Sequence, residues 1–164
     1  MKKNILFLWI SILLSSCGIY NFTGGSTGQA KTFQVNFFQN KAQLVEPGMD
    51  RDFTFYLQDL INNQTNLSLT DRNGDLVYEG EITNFTISPM AANSQQMAAQ
   101  NRLSVSINVR FTNVFEPEKD FEKQFSHYYD YPANTQLSAV KTSAFEEIFE
   151  RIAQDIFNAS LANW

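Results

Sequence analysis

Leu103, Val105, Ile107, Val109 and Phe111 alternate with Ser104, Ser106, Asn108, Arg110 and Thr112. Such a period of two puts every apolar side chain on one face and predicts a half-buried β-strand. Thr32-Phe33-Gln34-Val35-Asn36-Phe37 repeats the pattern and predicts a first strand. Glu46-Pro47-Gly48 punctuates the chain, and Asp50 and Asp52 follow where acids favour a helix N-terminus. Phe53, Leu57, Leu60 and Ile61 then recur with helical spacing and form one apolar face, ending near Asn62 and Asn63. Residues 67–70 predict a short strand and Asp71-Arg72-Asn73-Gly74-Asp75 a hairpin turn. Residues 76–87 are rich in β-formers; the alternation breaks near Gly80, where a bulge or bend is expected, and Pro89 should end the strand. After the charged turn Glu116-Pro117-Glu118-Lys119-Asp120, a partner strand carries Phe121, Phe125 and Tyr129 on one face. From Leu137 onward Val140, Ala144, Ile148, Ile152 and Ile156 form a stripe widened by Phe145, Phe149 and Phe157. It predicts a final helix roughly 35–40 Å long.

The order β-α-β-β-β-α predicts an α+β fold. We expect a two-layer sandwich in which two helices pack on one face of a mixed, mostly antiparallel sheet of four or more strands. The first strand has a helix after it, which leaves room for a parallel crossover. No internal repeat or composition break follows residue 31, so residues 32–164 are expected to form one domain. Fifteen phenylalanines point to an aromatic-rich core.

The beginning of the chain follows another pattern. Lys2 and Lys3 precede the apolar run 5–14, which is too short for a membrane span of roughly 20 residues but fits the apolar region of a secretory signal. Leu14-Ser15-Ser16-Cys17 resembles the lipobox of bacterial lipoproteins. That resemblance implies removal of residues 1–16 and diacylglycerol on the Cys17 thiol. Two or more acyl chains anchor stably where one does not. Residues 17–31, with four glycines before Gln29, are expected to form a flexible tether. No aspartate follows Cys17, which favours the outer membrane over retention at the inner one. The chain carries a net charge of −5, and loss of Lys2 and Lys3 would make it −7. A balance of that sign argues against nucleic-acid binding.

The order of elements, together with several short pieces, resembles the LptE family of outer-membrane lipopolysaccharide-assembly lipoproteins. The pieces are Cys17-Gly-x-Tyr20-x-Phe22, Gly74-Asp75-Leu76-x-x-Glu79-Gly80-x-Ile82, Asn101-Arg102-Leu103 leading to Phe111-Thr112-Asn113, and Asn163-Trp164. The resemblance implies a non-catalytic plug seated inside LptD, a large β-barrel that inserts lipopolysaccharide into the outer leaflet. It also implies a part in assembling that barrel and contact with lipopolysaccharide itself. The competing expectations are a general lipoprotein binding module, serving another barrel or a periplasmic polymer, and a small tethered hydrolase.

Arg102 and Arg110 share one parity of the 103–111 strand and are expected on its polar face, as contacts for lipopolysaccharide phosphates or for the barrel. His127, the single histidine, has no nucleophile-elbow sequence with it and is expected to be structural. With one histidine and one cysteine, no metal set is expected, and no cofactor beyond the lipid on Cys17. Asp71 to Asp75 departs from a calcium loop because its glycine comes too early and Ile82 stands where the closing glutamate belongs. The acids at 116, 118, 120 and 122 are expected to be solvated. The soft, uncharged stretch 90–100, with two methionines, is expected to be either a disordered hairpin tip or a contact for acyl chains or the barrel wall.

Overall fold

The structure, a computed structural model, describes residues 25–90 and 99–162. The expected signal peptide, the lipid site at Cys17, most of the 90–100 stretch and Asn163-Trp164 lie outside the described residues. The described elements are β1 (Thr32–Val35), β2 (Gln39–Asn40), α1 (Met49–Gln64), β3 (Ser68–Leu69), β4 (Leu76–Met90), β5 (Gln100–Asn113), β6 (Phe121–Pro132) and α2 (Leu137–Leu161). They form an α+β fold. One mixed sheet has the strand order β3-β1-β4-β5-β6, and β2 pairs with β4 off this path. Among the described residues no helix is long and apolar enough to cross a membrane.

The first strand stops short of its expected end. Phe33 and Val35 are buried, but Phe37 is 55% exposed and Phe38 is fully buried in its place. Asn36 donates its N–H to the Tyr78 carbonyl, and the chain turns there. The Phe38 N–H goes to Thr54 Oγ1 at 3.1 Å, and pairing resumes at β2, parallel to Glu81 and Ile82. Helix α1 begins at Gly48, whose φ of 85° suits a residue without a Cβ. Its Phe53, Leu57 and Ile61 are buried as the spacing predicts.

The segment between β3 and β4 is not a hairpin turn. Both strands run parallel to β1 and flank it, so residues 70–75 cross β1 instead of joining neighbours. Asp75 Oδ2 accepts the N–H groups of Lys31 and Thr32 at 2.8 and 3.0 Å, and the Asp75 N–H bonds Thr32 Oγ1 at 3.0 Å. Gly74 passes so close that a Cβ there would lie 2.7 Å from the Gln34 Cβ. Turn-forming residues announce a change of direction but not which strand lies on the far side.

β4 differs from expectation twice. Its register against β5 shifts between Ile82 and Asn84, so Thr83, not Gly80, is the extra residue. The buried positions accordingly change from 76, 78 and 82 to 85. Gly80 answers a different need: a Cβ there would sit 2.0 Å from the Asn108 carbonyl oxygen. Pro89 does not end the strand but pairs with Asn101. Among the described residues only β5 pairs with β4 beyond Ile82, and a strand paired on one side tolerates proline.

β5 and β6 pair without interruption from Phe111–Phe121 to Gln100–Pro132. The odd-numbered residues of β5 from Leu103 to Phe111 are fully buried. α2, 25 residues and about 37 Å long, packs over β5 and β6 and touches α1. Edge-on ring contacts bind the layers: Phe38–Phe53 at 5.1 Å, Phe53–Phe149 at 5.4 Å and Phe85–Phe145 at 6.0 Å between centroids. The buried Tyr78 hydroxyl lies 2.9 Å from Ser160 Oγ on α2, and burial raises its pKa. Residues 25–31, part of the expected tether, lie on the domain: the Ser26 N–H bonds the Leu161 carbonyl at 2.6 Å and Ala30 is buried.

Candidate functional site

The bulge in β4 and the unbroken β5–β6 pairing set which side chains share the outer face of the sheet, away from both helices. Three layers of that face are tied together by side chains. At one end Glu79 of β4 accepts from Arg110 of β5 at 2.8 Å, and Arg110 also reaches Glu122 of β6 at 3.3 Å. Asn108 donates to the same Glu122 at 2.9 Å. That bond first, and Arg110 second, hold the Glu122 carboxyl below its ordinary pKa. In the middle Ser106 and Ser126 hydroxyls meet at 3.0 Å. At the other end Arg102 makes a two-pronged pair with Asp130, both bonds 2.8 Å, and its guanidinium stacks 3.6 Å above the Tyr128 ring. Arg102 accordingly holds the Asp130 carboxyl below its usual range.

The structure therefore places Arg102 and Arg110 on one polar face, as their parity predicts, but does not bring them together. They stand eight positions apart along the strand, about 26 Å. Each is already neutralised by carboxylates, so what the face offers is a paired, polar surface rather than a bare cationic one. Beside Arg110, a groove of about 430 Å³ runs between the sheet and the segment 36–41; Asn36, Phe37, Lys41, Glu81 and Asn108 contribute to its walls.

On the opposite face, His127 projects toward α2, where its Nε2 lies 2.9 Å from Asp155 Oδ2. A groove of about 760 Å³ there is lined by His127, Ser143, Glu146, Glu150, Arg151 and Gln154, among others. Its one serine, Ser143, gives its hydroxyl proton to the Val140 carbonyl of its own helix at 3.0 Å. Among the described residues no group of His, Cys, Asp or Glu is arranged to hold a metal ion. The calcium-loop-like aspartates have another use, since Asp75 spends its carboxylate on β1. Of the acids in the 116–122 turn, Glu118, Asp120 and Glu122 are exposed, as expected, and Glu116 is half-buried, but three of the four have partners. Glu116 binds Lys119 at 2.8 Å, Asp120 accepts the Asn113 N–H at 2.7 Å, and Glu122 belongs to the Arg110 cluster.

Sequence reasoning missed the carboxylate partners of both arginines, although a signal was present. Arg110 and Glu122 are equidistant from residue 116, and so are Arg102 and Asp130. Opposite charges placed symmetrically about a turn mark the register of an antiparallel pair.

The family model LptE, described as lipopolysaccharide-assembly, matches residues 30–160. No curated protein sequence matches the chain. Among solved structures, a hypothetical protein from Chlamydia trachomatis superposes with a TM-score of 0.55 at 11% identity, covering 82% of this chain and 99% of that one. It shares the fold. A protein from Xanthomonas campestris gives a TM-score of 0.49 at 7% identity, covering 84% and 90%. Rare lipoprotein B from Shewanella oneidensis gives 0.46 at 12% identity, covering 77% and 89%. The family match spans both helices and every strand described above, so the chain belongs to the LptE lipopolysaccharide-assembly family.

Proposed function

We propose that the protein is a non-catalytic outer-membrane lipoprotein, anchored through lipid on Cys17, that plugs and helps assemble an LptD-type β-barrel for lipopolysaccharide transport. The family match over residues 30–160 carries this reading. The outer sheet face is compatible with it. The lumen of a large outer-membrane barrel is polar, and a face whose arginines are paired to Asp130, Glu79 and Glu122 can enter such a space without leaving an arginine unpaired.

Stoichiometric recovery of a large β-barrel with the native lipoprotein supports the plug. Its absence favours the general binding module instead. Palmitate-analogue labelling that leaves position 17 unmarked would remove the anchor from this account.

Arg102 and Arg110 are retained as lipopolysaccharide or barrel contacts. A ligand phosphate would have to compete with Asp130 for Arg102 and with Glu79 and Glu122 for Arg110. Reversing both charges, Arg102→Glu with Arg110→Glu, is expected to weaken lipopolysaccharide capture in vitro by about tenfold, the loss of two charge-assisted contacts in partly exposed positions. Unchanged capture would remove both residues from the site.

A further inference from the structure

Among the described residues the sheet has four places where backbone groups lack a neighbouring strand, and they are not equivalent. β2 and β3 are each two residues long. The upper part of β4 is blunted by the Thr83 bulge and by Pro89, both devices that discourage another strand from pairing. β6 is different. It is an edge strand of twelve residues, and its pairing with β5 contains no bulge. In an antiparallel pair every second residue turns its N–H and C=O away from the partner. Among the described residues, β6 has no backbone hydrogen bond to any strand but β5. Lys123 is a charge on the helix-facing side that guards the first third of the edge. From Phe125 to Tyr131 that side holds no lysine, and the segment is rich in β-forming residues.

Helix α2 runs beside this stretch, held to it by the His127–Asp155 contact. The side of α2 that borders the groove carries Glu146, Glu147, Glu150 and Asp155 against one guanidinium, Arg151. Glu147 and Arg151 are already paired at 2.9 Å, which leaves the border acidic. We propose that residues Phe125–Tyr131 of β6 accept an added strand from a partner whose extended segment carries lysine or arginine at alternate positions. The backbone of that segment pairs with β6, and its basic side chains point under α2. A second copy of this chain is a poor occupant, because joining two β6 edges brings two acidic α2 borders together. The inference does not rest on the barrel assignment.

The test uses the full-length protein in detergent micelles and an eight-residue peptide alternating lysine and threonine. Two controls are a glutamate–threonine peptide and the lysine peptide N-methylated at every backbone amide, which keeps the charge but leaves no N–H donor on either edge. The lysine peptide is expected to bind about tenfold more tightly than either control, since both charge and main-chain pairing contribute. Amide exchange should slow at alternate residues of 125–131. The double variant Glu147→Lys with Glu150→Lys should reverse the preference between lysine and glutamate peptides. Equal binding of the N-methylated peptide would show charge attraction alone and overturn the proposal. So would new protection on β4 instead of β6. Protection, in the free protein, of the alternate N–H groups of 125–131 that face away from β5 would overturn it too, by showing the edge already occupied by this chain or by a second copy.

Discussion

At the residue scale, single side chains do work that their neighbours in sequence do not reveal. Asp75 lies in a turn-like segment, yet its carboxylate holds the first N–H groups of β1. The Lys31 N–H is the main reason its pKa falls below the ordinary value, with Thr32 adding to it. A carboxyl whose pKa is depressed on folding stabilises the protein above its unfolded pKa of about 3.9, and that contribution is lost as pH falls through the folded value. Asp75→Asn is therefore expected to lower stability at pH 7 by about 0.5 kcal/mol, a small figure because solvent at this position screens the charge. In urea unfolding from pH 7 down to 2, the gap between wild type and variant should be constant above about pH 5 and close below it. A gap that persists at pH 2 would place the effect in geometry rather than in charge. Gly80 makes the same point sterically: its lack of a side chain serves contact with the Asn108 carbonyl.

At the element scale, apolar stripes decide which faces meet, and aromatic rings decide how. Phe149 of α2 touches Phe53 and Tyr56 of α1 and Phe145 one turn earlier. It is the ring through which the two helices share a core. Phe149→Ala is expected to cost about 3–4 kcal/mol, the usual range for removing a buried ring and leaving a cavity. Chemical denaturation is the measurement, and a loss under about 1 kcal/mol would mean the helices pack independently there. The periodicity of α1, β5 and α2 was legible because one face of each is buried along its length. The ends of β1 and β4 were not. Phe37 and Phe38 are equally apolar, and only the turn of the backbone at Asn36 decides which is buried. The Thr83 bulge changes which residues face inward, and no local residue type demands a bulge at that position.

At the scale of the whole molecule, the first described residues lie beside the end of α2. Gly25 lies against Leu161, where an added Cβ would come within 2.5 Å of the Leu161 side chain. If Cys17 is acylated as proposed, the eight residues from there to Gly25 reach at most about 28 Å. The end of the sheet that carries Val114 and Phe115 must then stay near the bilayer. The β4–β5 tip, about 45 Å away along the strands, is expected to stand farther from it. With Val114→Cys and Met90→Cys variants of the acylated protein in vesicles, a fluorophore at 114 should be quenched by headgroup-located quenchers far more than one at 90. Equal quenching would show that the domain does not stand on the membrane in this orientation.

Sequence alone determined the two helices, the central strand with its buried and polar faces, the two-layer arrangement and the resemblance to the LptE family. These depend on side-chain periodicity and on the order of elements, which are written along the chain. Only the tertiary structure decided that β1 lies between β3 and β4, that Asp75 caps it, that both arginines are matched by carboxylates, and that β6 is the last strand of the described sheet. Each of these depends on which distant segments become neighbours, and local pattern carries no information about that except where charges stand symmetrically about a turn.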